Sequence, residues 1–106
     1  MAAWQPSGLV DFGYLEGFTA GDRRVIDEVL TLFRQQAQLW AGSLGAADPN
    51  WRDVVHTIKG SARGVGANAL GDVCARAEVD GEASLPAVLT ALEATVTEIA
   101  AYQARD

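Results

Sequence analysis

In its 106 residues the chain has one cysteine, Cys74, one histidine, His56, and one lysine, Lys59. A single thiol excludes an intrachain disulfide, and with it the class of small secreted scaffolds held by such bonds. One imidazole and one thiol are also too few ligands for a structural zinc site. Positive charge is scarce: 8 Lys and Arg stand against 14 Asp and Glu, for a formal net charge of −6. That removes the basic footprint needed for nonspecific nucleic-acid binding, and polybasic attachment to a membrane with it. No unbroken apolar run approaches the ~20 residues of a bilayer span. The opening MAAWQPSG lacks the basic region and apolar core of a secretory signal. The expectation is a soluble, cytoplasmic protein. Repeats and low-complexity stretches are missing too, and the length suits one domain over 1–106, with a core at about 9–102 and a loose lead-in at 1–8.

What is present is apolar residues at helical spacing. They make up 49% of the chain, enough for one modest core. Residues 9–18, LVDFGYLEGF, form a short apolar element, read as a brief helix broken near Gly17 and Gly21. Alternation there also suits a strand, but no partner strand follows. From Asp22, a candidate N-cap, Ile26, Val29, Leu30, Phe33, Ala37 and Trp40 recur at three and four, and Gly42 and Gly45 mark the end. A turn at 45–49 leads to Asp48 as a cap and Pro49 as the first residue of a new helix. Its seam is Trp51, Val55, Ile58, Ala62 and Val65, and Gly66 stops it. The next helix opens at Ala67 or Asn68, with Leu70, Val73, Cys74 and Ala77 facing inward. After a turn at 80–84, Ser84 is the expected cap of a last helix striped by Leu85, Val88, Leu89, Leu92, Val96, Ile99 and Tyr102, with Pro86 in its first turn. Four amphipathic helices with short turns predict an all-α, antiparallel up-down four-helix bundle with a short additional N-terminal helix. The tryptophans Trp4, Trp40 and Trp51 read as packing anchors, and Cys74 as buried and inert.

The stretch HTIKGSARGVG at 56–66 places the histidine and the lysine on the third of these helical segments. Arg52, His56, Lys59, Gly60 and Arg63 repeat the seam's spacing one residue later, so they form a second stripe turned about 100° from the core. The imidazole therefore faces solvent among three cations in an otherwise acidic chain, which suits an incoming anion. Gly60 lies one turn above His56. Glycine inside a helix costs about 1 kcal/mol relative to alanine, and the missing side chain leaves the ring approachable. Gly64 continues that channel. An open imidazole is a competent nucleophile toward an activated phosphoryl group. Lys59, with Ser61 or Arg52 and Arg63, can stabilise the negative product. Gly64 and Gly66 do not form a phosphate-binding loop, because the preceding strand and the lysine-serine ending are missing.

The run His56-Thr57-Ile58-Lys59-Gly60-Ser61, followed by Gly66, Ala67 and Leu70, resembles the histidine phosphotransfer (HPt) domain family. The segment DFGYLEGFTAGDRRVIDEVLTLF resembles that family's short opening helix and first long helix, so the likeness covers about 9–102. Val55 departs from the alanine common before the family's histidine. The resemblance implies that His56 takes a phosphoryl group from an aspartyl phosphate of a response-regulator receiver domain, through its outer ring nitrogen, and passes it to another receiver. It implies that Lys59 attends the phosphate and Gly60 gives access. Ser61 and Arg63 are grouped with them, and Arg52 and Gly64 with partner docking. It implies a carrier without kinase activity or cofactor, the magnesium belonging to the receiver. The expected partners are receivers and a hybrid histidine kinase, and a monomer is the simplest assembly. Two other classes are an interaction scaffold that binds receivers without carrying phosphate, and an enzyme using His56 as general base. The last needs an orienting carboxylate, for which the sequence offers only Asp53.

Overall fold

The computed structural model describes residues 8–45 and 48–105. Trp4, most of the lead-in, and residues 46–47 of the first long turn lie outside the described residues. Five α-helices follow in order among those described: α1 (Phe12–Phe18), α2 (Arg23–Gly45), α3 (Trp51–Gly64), α4 (Asn68–Asp80) and α5 (Leu85–Ala104), with a single 3-10 turn at Glu82–Ser84 before α5. The four long helices close a ring, α2 against α3, α3 against α4, α4 against α5, and α5 back against α2. Short connections force antiparallel neighbours, so the all-α four-helix bundle stands as expected.

The apolar stripes account for the packing. On α3, Trp51, Val55, Ile58 and Ala62 are buried, with Val65 just beyond. They meet Ile26, Leu30, Phe33, Ala37, Trp40 and Leu44 of α2, Leu70, Cys74 and Ala77 of α4, and Leu85, Val88, Leu92, Ile99 and Tyr102 of α5 in one cluster. Each fully buried Leu, Ile or Val adds about 1.5–3 kcal/mol over its exposed state. Val29, Val73, Leu89 and Val96, expected on the inner stripes, are only partly buried and pack against the rim of that cluster. Gly71 and Thr95 take inner places instead. Gly71 has no side chain to hold neighbours off, and Thr95 returns its hydroxyl hydrogen to the Ala91 carbonyl at 2.7 Å.

Several helix ends differ from expectation. Asp22 does cap α2, its carboxylate accepting from the amides of Arg24 and Val25. Gly42 does not end that helix, which runs on to Gly45. Asp48 closes a turn: its side chain accepts from Asn50 N at 2.8 Å, and its carbonyl accepts from Trp51 N. Helix α3 therefore starts at Trp51, and Pro49 precedes it. Ser84 makes no side-chain capping bond. By length and composition alone α5 could cross a membrane, contrary to the expectation of no such segment. Most of its stripe, Leu85, Val88, Leu92, Ile99 and Tyr102, is buried in the bundle, as in the core helix of a globular domain.

Helix α1 closes one end of the bundle. Asp11 N donates to Gly66 O at 2.8 Å, and the Asp11 carboxylate caps Tyr14 N at 3.1 Å. The Phe12 ring stacks on Tyr102, centroids 3.9 Å apart. The Tyr102 hydroxyl donates to Glu16 at 2.6 Å, and Arg105 lies over the same ring while reaching Glu16 at 3.3 Å. Burial and the anionic acceptor push the Tyr102 hydroxyl up to about 12, so the proton stays in that bond. This closure lies about ten residues along α3 from His56, ~15 Å at a helix's rise, and leaves the histidine's surroundings uncovered.

Candidate functional site

The sequence puts His56 one position after the buried Val55, and the helix turns it out of the core accordingly. Its side chain is 71% exposed, as the second stripe requires. The ring is nonetheless held on one edge. Nδ1 stands 3.5 Å from Glu78 Oε1, and the same oxygen meets Lys59 Nζ at 2.8 Å. Glu78 projects from the last turn of α4, the helix packed most closely against α3. A carboxylate beside Nδ1 favours a proton there, which leaves the Nε2 lone pair on the far edge of the ring. The Lys59 ammonium, with the histidine's help, holds the Glu78 carboxyl below its usual range.

Gly60 and Gly64 both face open space: a Cβ built on either meets nothing within 4 Å. Among the described residues no close packing of another element explains the glycine at 60, and its effect is to keep the turn above His56 low. Arg52 donates to the Glu78 carbonyl at 2.7 Å and lies over the Trp51 ring. It thus closes the C-terminal end of α4 where unpaired carbonyls collect. Arg63 lies across Gly71, whose absent Cβ would come within 3.0 Å of its Cγ, and its guanidinium reaches Asp72 at 3.9 Å. Ser61 and Gly64 face the other way, into a shallow groove shared with Leu32, Phe33, Gln36 and Trp40 of α2. The structure therefore brings His56, Lys59 and Arg52 together around Glu78, and sets Arg63 and Ser61 on the two flanks.

Two expectations change. Lys59 is not freely solvated: its side chain is only 19% exposed, drawn in by Glu78. Nor is the carboxylate beside the ring Asp53, whose carbonyl accepts the Thr57 hydroxyl at 2.9 Å. It is Glu78, which sequence reasoning missed. The signal was there: His56 and Glu78 stand equally far before and after Ala67, as do Arg63 and Gly71, and an antiparallel hairpin folded at that residue must pair them. Cys74 is buried beneath the same surface, its thiol pushed up to about 11 by burial and by the Glu78 charge, which keeps it protonated and unreactive.

A closed ring of four helices presenting one solvent-facing histidine, with a lysine one turn on and a glycine above, has the form of a phosphotransfer carrier. The Hpt domain model matches residues 23–102, and the chain belongs to that family. The chain is also similar to a solved structure, the crystal structure of histidine phosphotransferase ShpA from Caulobacter crescentus. The two are 61% identical, with 90% of each chain covered and a TM-score of 0.83. No curated protein matches it.

Proposed function

We propose that this protein is a phosphorelay intermediate in which His56 receives a phosphoryl group from the aspartyl phosphate of a receiver domain and delivers it to another. The observation that carries the reading is the imidazole itself, 71% exposed and with Nδ1 3.5 Å from the Glu78 carboxylate. In the transfer, the Nε2 lone pair forms the N–P bond as the acyl-phosphate P–O bond breaks. The receiver regains its carboxylate, and the Nδ1 proton stays on the ring beside Glu78. Family membership and the likeness to a histidine phosphotransferase support the same chemistry. The chain contributes a nucleophile, a nearby cation and an open approach. Phosphoryl activation and magnesium belong to the receiver, so the protein acts as a carrier without kinase activity or cofactor of its own. Lys59 is the residue assigned to the phosphoryl oxygens and Gly60 to access. Ser61 and Arg63, expected to support the phosphate, stand instead on the α2-groove and α4 flanks, and they are assigned with Gly64 and Arg52 to the docking face. A soluble cytoplasmic monomer serving receivers and a hybrid histidine kinase fits this role.

The test is transfer from a receiver domain carrying radiolabelled phosphate. Label should move to this protein and be acid-labile and alkali-stable, as a phosphoramidate is. Binding without transfer would indicate a scaffold, and loss of label to solvent without a stable carrier state would indicate a hydrolase. The access role of Gly60 gives a second expectation with two opposite signs. Gly60→Ala should stabilise the fold by about 0.5–1 kcal/mol, because alanine is the better helix former and its methyl meets nothing. Gly60→Leu should slow transfer from the receiver by about tenfold or more, since displacement needs in-line approach to Nε2. Urea denaturation reads the first and single-turnover transfer the second. A Gly60→Leu protein that transfers at the parental rate would remove the access role.

A further inference from the structure

We infer that Glu78 sets the energy of the phosphorylated state by competing with the phosphoryl group for Lys59. The inference rests on the reading of His56 as phosphoryl acceptor and adds a regulating residue to that site. Three observations lead to it. First, Glu78 Oε1 is shared: it lies 2.8 Å from Lys59 Nζ and 3.5 Å from His56 Nδ1. Second, that oxygen is sealed from water, so its charge is balanced by the ammonium at 2.8 Å. Third, the cation is drawn inward and the ring is not, at 19% against 71% side-chain exposure. The neighbouring cations are committed elsewhere, Arg52 to the Glu78 carbonyl and the Trp51 face, Arg63 to Asp72.

A phosphoryl group on Nε2 adds a second anion beside one ammonium. Lys59 must divide its interaction between the phosphoryl oxygens and Glu78, and Glu78 repels the new charge. The phosphohistidine is then higher in energy than an uncontested lysine would leave it. For a carrier this is useful: the group arrives, is not trapped, and leaves for the next aspartate. The two roles of Glu78 are separable by substitution. Glu78→Gln keeps an oxygen able to accept from Nδ1–H, so the ring keeps its orientation, but removes the charge that holds Lys59.

The experiment is the equilibrium ratio of phosphohistidine to receiver aspartyl phosphate, measured with one labelled receiver for four proteins: the parent, Glu78→Gln, Lys59→Ala and the double variant. Glu78→Gln should move the ratio toward histidine by about tenfold, the scale of one additional charge-assisted hydrogen bond between Lys59 and the phosphoryl oxygens. Glu78→Asp, which withdraws the carboxylate by one methylene, should move it the same way by less. In the Lys59→Ala background the Glu78→Gln shift should shrink to the small part left by direct repulsion between Glu78 and the phosphoryl group. An unmoved ratio in Glu78→Gln, or an equal shift with and without Lys59, overturns the inference while His56 remains the acceptor. Absence of label on the parent overturns the phosphorelay reading and this inference together.

Discussion

A His56→Gln protein should take no phosphoryl label from a phosphorylated receiver, against clear labelling of the parent, and should melt at the parental temperature. The two halves of this expectation come from different features of one side chain. The loss follows because the glutamine amide nitrogen, its lone pair delocalised into the carbonyl, is no nucleophile toward an acyl phosphate. No other residue can replace the imidazole: the chain has no second histidine, and Cys74 is buried with its thiol raised to about 11. The unchanged stability follows because His56 is 71% exposed and touches Glu78 only at 3.5 Å. A surface substitution away from caps and core is worth about ±0.5 kcal/mol. Phosphorimaging of the transfer mixture reads the first half and a thermal melt the second. Residual label on the variant would place the acceptor at another residue. A large fall in melting temperature would show that the imidazole supports the bundle, which its exposure argues against.

The parts of this protein that could be read in the sequence are those governed by local periodicity. The Trp51–Val65 seam fixes which side of α3 faces inward, and once that is known the angle of His56 follows without any knowledge of the other helices. Caps such as Asp22 and stops such as Gly66 are equally local. Two kinds of feature escaped. Helix starts shifted where a polar side chain had two uses: Asp48 accepts from Asn50 N within a turn, which competes with capping, so α3 begins later than Pro49 suggested. Pairings across the hairpin were also missed. Glu78 reads as an ordinary solvated acid on α4, and only its register against α3 brings it to Lys59 and the ring. The consequence was an error in the environment of Lys59, read as exposed when a carboxylate from another helix has drawn it in. Periodicity gives a side chain its direction, and the neighbour that meets it has to come from the packing of a second helix.

That same hairpin rests on one backbone position, and Gly66→Ala is expected to destabilise the protein by about 3–5 kcal/mol. Gly66 has φ +84, where an L-residue costs about 1–2 kcal/mol. The larger part is steric. A Cβ at 66 would stand 2.5 Å from the Asp11 carbonyl oxygen, a backbone atom that cannot rotate aside. Asp11 N donates to Gly66 O at 2.8 Å, so relieving the clash means breaking the bond that seats α1. Phe12 and Leu15, at 5% and 2% exposure, would then lose much of their burial, at about 1.5–3 kcal/mol each if fully lost. Gly21→Ala isolates the conformational part. Its φ is +76 and its Cβ would meet nothing within 4 Å, so it should cost only about 1–2 kcal/mol. Urea denaturation of both variants separates strain from collision, and equal losses would show that α1 yields without cost. Because α1 sits ~15 Å from the histidine along α3, the folded fraction of Gly66→Ala should still accept phosphate at the parental rate. Slowed transfer in that fraction would mean that α1, though remote, holds α3 in the register that presents His56.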